Sequence, residues 1–202
     1  MQDKAYLTEK PELRSLVSPI GDQKLPIHNW YPYKHGYSSA LAKYMIKECG
    51  LRKGQWVLDP FCGGGTTNLA CKELGINSEG FDILPFSVFL SNVKLDDYDP
   101  VEIRSELETF KTNNSKPAAV NDLPDIPLVN KAFTPEVRAC LLALKARIEC
   151  VGSQKARSLF RLGFLGIVES VSNTVKNGGF LRIKNKEIDP SSIEDILVKK
   201  ST

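Results

Sequence analysis

Val57-Leu58-Asp59-Pro60-Phe61-Cys62-Gly63-Gly64-Gly65-Thr66-Thr67 is the stretch on which the fold turns. An apolar run closes on an acid, three consecutive glycines follow, and two threonines open a segment of helical character. In physical terms this is a carboxylate at the end of a strand, then a backbone bare of side chains that a ligand can approach, then a helix N-terminus. Residues 55–59 suit a buried parallel strand. Residues 66–74 read as a helix closed by Gly75, and 77–81 as a second strand leading to Asp82. Strand, glycine loop, helix, strand and acid make a βαβ unit.

Outward from this unit, residues 38–49 predict a helix capped by Ser38 or Ser39, with Leu41, Tyr44, Met45, Ile46 and Cys49 near one face and Gly50 as its stop. Residues 1–25, with Pro11, Pro19 and Gly21, read as an irregular lead-in. A further helix is expected over 85–94. Beyond residue 100 the pattern is mostly helical: 101–110 is amphipathic, 111–119 reads as a linker, and 134–151 and 153–172 read as helices. Thr134 and Pro135 mark the start of the first of that last pair. Asn177-Gly178-Gly179 predicts a turn before the apolar run 180–183, and Ser191-Ser192-Ile193-Glu194 a capping box that opens a last short helix. Three regions result: 1–25, a βαβ portion over 26–99, and a mostly helical segment over 100–202.

Composition excludes several classes. With 202 residues, 42% apolar and 25% charged, the chain is long enough for a buried core and has the balance of a globular protein. No apolar run approaches the ~18–20 residues of a membrane span, and no signal-peptide pattern opens the chain, so a cytoplasmic location is expected. Five cysteines without a C-x-x-C pair, and only His28 and His35, assemble no zinc spacing and suggest reduced thiols; no metal is expected. The net charge of +3 is too mild to announce nucleic acid. The last 52 residues, with nine basic and five acidic side chains, carry at most a hint of it.

Three nucleotide ligands compete for the glycine loop. A phosphate loop of the Walker type needs G-K-[ST], which does not occur; a dinucleotide loop needs a third glycine where Asn68 stands. S-adenosylmethionine fits better, because its cationic amino and sulfonium groups match an acid at the loop entrance. A carboxylate at the end of the second strand can accept from both ribose hydroxyls. The bland alternative is a glycine turn that binds nothing.

Asp59-Pro60-Phe61-Cys62-Gly63-Gly64-Gly65-Thr66-Thr67 resembles the D-P-F-x-G-x-G-T-T cofactor motif of DNA methyltransferases that modify adenine N6 or cytosine N4. His28-Asn29-Trp30-Tyr31-Pro32-Tyr33-Lys34-His35-Gly36-Tyr37-Ser38 resembles the segment that closes over the methionine end in that family. Gly80-Phe81-Asp82-Ile83-Leu84-Pro85 resembles its ribose turn. The resemblance covers roughly residues 26–95 and implies an α/β fold, part of a Rossmann-like S-adenosylmethionine-dependent methyltransferase, followed by a helical segment. It implies that Asp59 meets the methionine amino group and that Phe61 packs beside the methionine chain or the adenine. Gly63 and Gly65 would admit the backbone, Thr66 cap the helix, Asp82 hold the ribose and Ile83 lie along the adenine. Tyr31 and Lys34 would contribute from the upstream segment, whereas His28 and His35 read as loop histidines. DNA is the implied substrate partner, in a restriction-modification setting.

The family's catalytic motif, [DNS]-P-P-[YFW], is absent: the chain has twelve prolines and no Pro-Pro pair. That motif's polar residue and prolyl carbonyl accept from the target amino group while its aromatic residue stacks on the extruded base. The Pro-Cys pair of cytosine-C5 chemistry is absent too, since Glu, Phe, Ala, Ala and Glu precede the five cysteines. The chain is therefore expected to be the cofactor-binding portion of such an enzyme, a truncated frame or one chain of a split enzyme, with no catalytic residues of its own and no methyl transfer alone. Two other readings stay open: a portion of a guanine-N2 RNA methyltransferase, whose loop D-P-x-C-G-x-G-T is similar, and a non-catalytic cofactor-binding partner chain.

Overall fold

The computed structural model describes residues 9–113, 126–177, 180–184 and 186–201. They form two compact units, Met1–Leu95 and Asp96–Thr202. The first opens with two 3-10 helices, Pro11–Val17 and Pro19–Lys24, where an irregular lead-in was expected; each starts on a proline whose fixed φ and missing N–H suit a first helical position. Helix α1 (Ser39–Glu48) follows, with the Ser38 side chain accepting from the Leu41 amide, as the capping pattern predicted. Strand β1 (Trp56–Asp59), helix α2 (Thr66–Leu74), strand β2 (Asn77–Gly80) and helix α3 (Pro85–Leu95) complete the unit. β1 and β2 pair in parallel with Trp56 opposite Asn77 and Asp59 opposite Gly80, which is the expected βαβ arrangement.

One face of this sheet is closed. Val57 packs with Ala42, Ile46, Ala70, Cys71 and Ile76, so α1 and α2 cover it. The other face is open: Trp56 is 67% and Leu58 62% exposed. The expectation of a buried strand is thus corrected. An apolar parallel strand is buried when crossover helices lie on both faces, and among the described residues this sheet has two strands and helices on one face.

A buried polar knot ties the lead-in to the helices. His28 is buried, its Nδ1 3.7 Å from Asp22 Oδ2 and its Nε2 3.5 Å from Glu73 Oε1. Asp22 also accepts from the Ser39 amide at 2.7 Å, and Lys94 donates to the His28 carbonyl at 3.2 Å. Burial pushes His28 below the usual histidine range despite its two carboxylate neighbours, and pushes Lys94 down to about 8. Because the unfolded histidine binds its proton more readily, His28 makes folding weaken as pH falls from about 6.5 toward its lower folded value. Melting curves are expected to show a wild-type midpoint that falls between pH 7 and pH 5.5, and His28→Gln should lessen that fall; equal slopes would refute the assignment.

The second unit is helical as expected, with additions. α4 (Pro100–Thr112) is capped by Asp99, α5 (Pro127–Ala132) was not foreseen, and α6 (Pro135–Glu149) and α7 (Gln154–Val168) begin at the caps Thr134 and Ser153. The helical reading of 153–172 overruns: after Val168 the chain turns into strand β3 (Thr174–Asn177), which pairs antiparallel with β4 (Phe180–Ile183). Residues 114–119 of the expected linker, and Gly178 and Gly179 of the expected turn, lie outside the described residues. α8 (Ile193–Ser201) closes the unit. Its entry is capped by Asp189, which accepts from Ser191, and not by a Ser191–Glu194 box, because Glu194 instead pairs with Arg147 at 2.7 Å. The core gathers Leu107, Phe110, Leu144, Ile148, Phe160 and Ile193.

Candidate cofactor site

The C-terminal ends of two adjacent parallel strands bring the two predicted acids to one edge of the first unit. Asp59 Oδ1 accepts from the Phe61 amide at 3.1 Å, and its Oδ2 lies 3.5 Å from the Tyr37 hydroxyl. Asp82, two residues past β2, accepts from the Leu84 amide at 2.8 Å through Oδ1 and from the Gly63 amide at 2.9 Å through Oδ2. These amides, Leu84 first and then Gly63, hold Asp82 below the usual carboxylate range. Asp82 therefore clasps the glycine loop to the second strand, and its free lone pairs remain available to a ligand. Phe61 and Ile83, 86% and 94% exposed, follow the two strand ends.

The glycines serve the protein's own packing. A Cβ on Gly63 would lie 2.9 Å from Tyr33 Cε1, and one on Gly64 2.9 Å from Tyr33 Cβ, so the Tyr33 ring occupies the space beside both. Gly65, at φ +77°, backs onto Ser91, whose Oγ would be 2.8 Å from an added Cβ. Ser91 also donates to the Gly63 carbonyl at 3.0 Å, and Tyr33 and Ser87 share a hydrogen bond of 3.1 Å. The loop is thus gripped between the upstream segment and α3. Gly65, in its left-handed conformation, is also the residue that caps α2; the expectation that Thr66 caps it is corrected, because Thr66 is already the first helical residue.

Tyr31 and Lys34 do not meet the loop in the way Tyr33 does. Tyr31 packs edge-on against Phe86 at 5.1 Å, and Lys34 is exposed. Tyr33, Tyr37, Ser87 and Ser91 were missed by sequence reasoning. A signal existed for the serines: Ser87 and Ser91 are spaced four apart on a helix otherwise apolar on that side, and both are buried. Cys62 is buried beside Ser91, and burial pushes its thiol up, so it stays protonated and is no nucleophile near neutral pH. No cluster of metal-ligating side chains occurs among the described residues, and no helix there is long and apolar enough to cross a membrane.

The fold and site define a class: an α/β unit whose glycine loop and paired acids form a ligand site at the C-terminal edge of a parallel sheet. Residues 19–91 match the sequence profile of the N6/N4 family described as DNA methylase. The chain is 36% identical over 187 residues to the Type II methyltransferase M.BsoBI of Geobacillus stearothermophilus, covering 88% of this chain and 36% of that protein. It is 28% identical to the Type II methyltransferase M.AvaI of Nostoc sp., over 90% of this chain and 38% of that protein. An 81-residue stretch is 40% identical to the Type II methyltransferase M.MjaII of Methanocaldococcus jannaschii, 40% of this chain and 15% of that protein. The chain belongs to the adenine-N6/cytosine-N4 DNA methylase family, and it spans little more than a third of the length of the first two relatives. No solved structure matches it.

Proposed function

We propose that this chain is the S-adenosylmethionine-binding portion of a DNA methylase acting on an exocyclic base amino group, with a partial Rossmann-like fold over residues 26–99 and a mostly helical segment over 100–202. The observation that carries this reading is the convergence of Asp59, Asp82, Phe61 and Ile83 around a clasped glycine loop at adjacent strand ends. The residues fit the cofactor: two carboxylates that retain lone pairs suit a cationic amino group and a ribose diol, and two exposed apolar side chains offer faces to an adenine. When bound, the cofactor supplies the activated methyl group.

Asp59 accepts from the methionine amino group, and Asp82 accepts from the ribose hydroxyls while keeping its hold on the Gly63 amide. Phe61 and Ile83 flank the adenine and exclude water from it. Gly63 and Gly65 keep the loop tight, Thr66 opens the helix whose N-terminus faces the loop, and Tyr31 and Lys34 contribute from the upstream segment. Base extrusion and methyl transfer need groups of the absent [DNS]-P-P-[YFW] type, so DNA contact belongs to the complete enzyme.

Calorimetric titration of the chain with S-adenosylmethionine, and separately with S-adenosylhomocysteine, tests the reading. Saturable binding near one per chain is expected from both, and no methyl transfer to DNA by the chain alone. Heatless titrations at 1 mM ligand would overturn the cofactor site, and turnover by the isolated chain would overturn its non-catalytic character.

A further inference from the structure

The open face of the sheet differs in kind from its closed one. Trp56 and Leu58 present large exposed apolar side chains there, whereas Val57 on the opposite face is covered. The two strands also differ: β1 reads Trp-Val-Leu-Asp, β2 Asn-Ser-Glu-Gly. An apolar run belongs to the middle of a parallel sheet, and a polar one suits its margin. The carbonyls of Gln55 and Asp59 accept from the Asn77 and Phe81 amides at 2.9 Å, so the alternating backbone groups of Trp56 and Leu58 face the other edge. No described strand lies on that edge.

Handedness says what such an edge receives. A right-handed crossover from β1 through α2 to β2 puts its helix on the Val57 face. Strands added on the other side of β1 run their crossovers the opposite way along the sheet, and the same handedness puts those helices on the Trp56–Leu58 face. A second copy of this chain does not meet the need. Two-fold pairing edge to edge would set β1 antiparallel to itself and bring no helix over Trp56.

We infer that the free edge of β1 and the Trp56–Leu58 face form a docking surface for a partner polypeptide that adds a parallel strand beside β1 and lays an apolar helix over both side chains. The partner is the part of an amino-directed methylase that the matched region does not include; this identity rests on the reading above, whereas the surface itself does not. Docking there sets the partner's strand end beside Asp59, so one event completes the sheet and walls the cofactor site.

The test mixes the full chain with a polypeptide comprising the part of M.BsoBI outside the matched region. A 1:1 complex by light scattering is expected, with Trp56 emission shifted to the blue and protected from acrylamide. Trp56→Phe should remove the shift and keep the complex, leaving Trp30 as the internal reference. Leu58→Glu should weaken docking about 100-fold, because a carboxylate would be buried without a partner, while its unmixed melting midpoint stays near that of the parent. Absence of a complex, or a complex indifferent to Leu58→Glu, would overturn the proposal. So would a homodimer, or residues 96–202 of the same chain, already shielding Trp56 before mixing. Cofactor titration of the unmixed chain separates the two readings: docking without cofactor binding strikes the cofactor site alone, and binding without docking strikes this surface alone.

Discussion

Replacing Asp59 by alanine is expected to weaken S-adenosylmethionine binding by about 30- to 100-fold while leaving the fold in place. The carboxylate stands at the end of β1, and its local duty is small: one oxygen accepts from the Phe61 amide at 3.1 Å, the other lies 3.5 Å from the Tyr37 hydroxyl. A hydrogen bond to a charged group contributes about 1.5–3 kcal/mol, and each 1.4 kcal/mol is a factor of ten in affinity. Asp59→Asn separates the parts of that effect. It keeps an acceptor for Phe61 and removes the charge, so its loss should fall between parent and alanine, with a melting midpoint closer to the parent's. Calorimetry alongside melting curves makes the measurement. Unchanged affinity in Asp59→Ala would refute the assignment of the methionine amino group to this residue.

Gly65→Ala is expected to be the most damaging single methyl in the first unit. At φ +77° an L side chain is strained by about 1–2 kcal/mol. The added Cβ would also stand 2.8 Å from Ser91 Oγ and 3.1 Å from the Ser91 Cα, so rotation of the serine alone cannot clear it. Overpacking of this kind costs roughly a further 1–3 kcal/mol. A loss of about 3 kcal/mol should lower the melting midpoint of a unit this size by 10 °C or more. Gly65→Ala with Ser91→Gly tests the cause: it removes the clash and leaves the strain, so about half the loss should return. No recovery would show that the collision with Ser91 is not what the glycine avoids.

Much of the first unit was legible because its signals are local. A cap and a glycine stop bound α1; the apolar run, the glycine loop and Gly75 bound β1 and α2; and acids mark both strand ends. These depend on propensity, periodicity and backbone freedom, which a short window of sequence contains. Misreadings arose where a distant partner decided. Glu194 reads as a capping residue until Arg147, far away in the chain, claims it. Lead-in residues read as irregular until His28, Asp22 and Lys94 knot them to the helices.

The glycine loop divides the two kinds of information most clearly. Its sequence alone announced a tight turn between a strand and a helix, the acids beside it, and the ligand class that suits them, because glycine's freedom and a carboxylate's charge are properties of the residues themselves. Why there are three glycines, and which residues hold them, depended on folding. Tyr33 takes the space beside Gly63 and Gly64, and Ser91 the space beside Gly65, from segments about 30 residues upstream and 26 downstream. Whether β1 lies buried was likewise beyond local reading. An apolar strand declares that it should be covered, but which face is covered depends on where the crossover helices land, and that is a matter of handedness and of strands elsewhere.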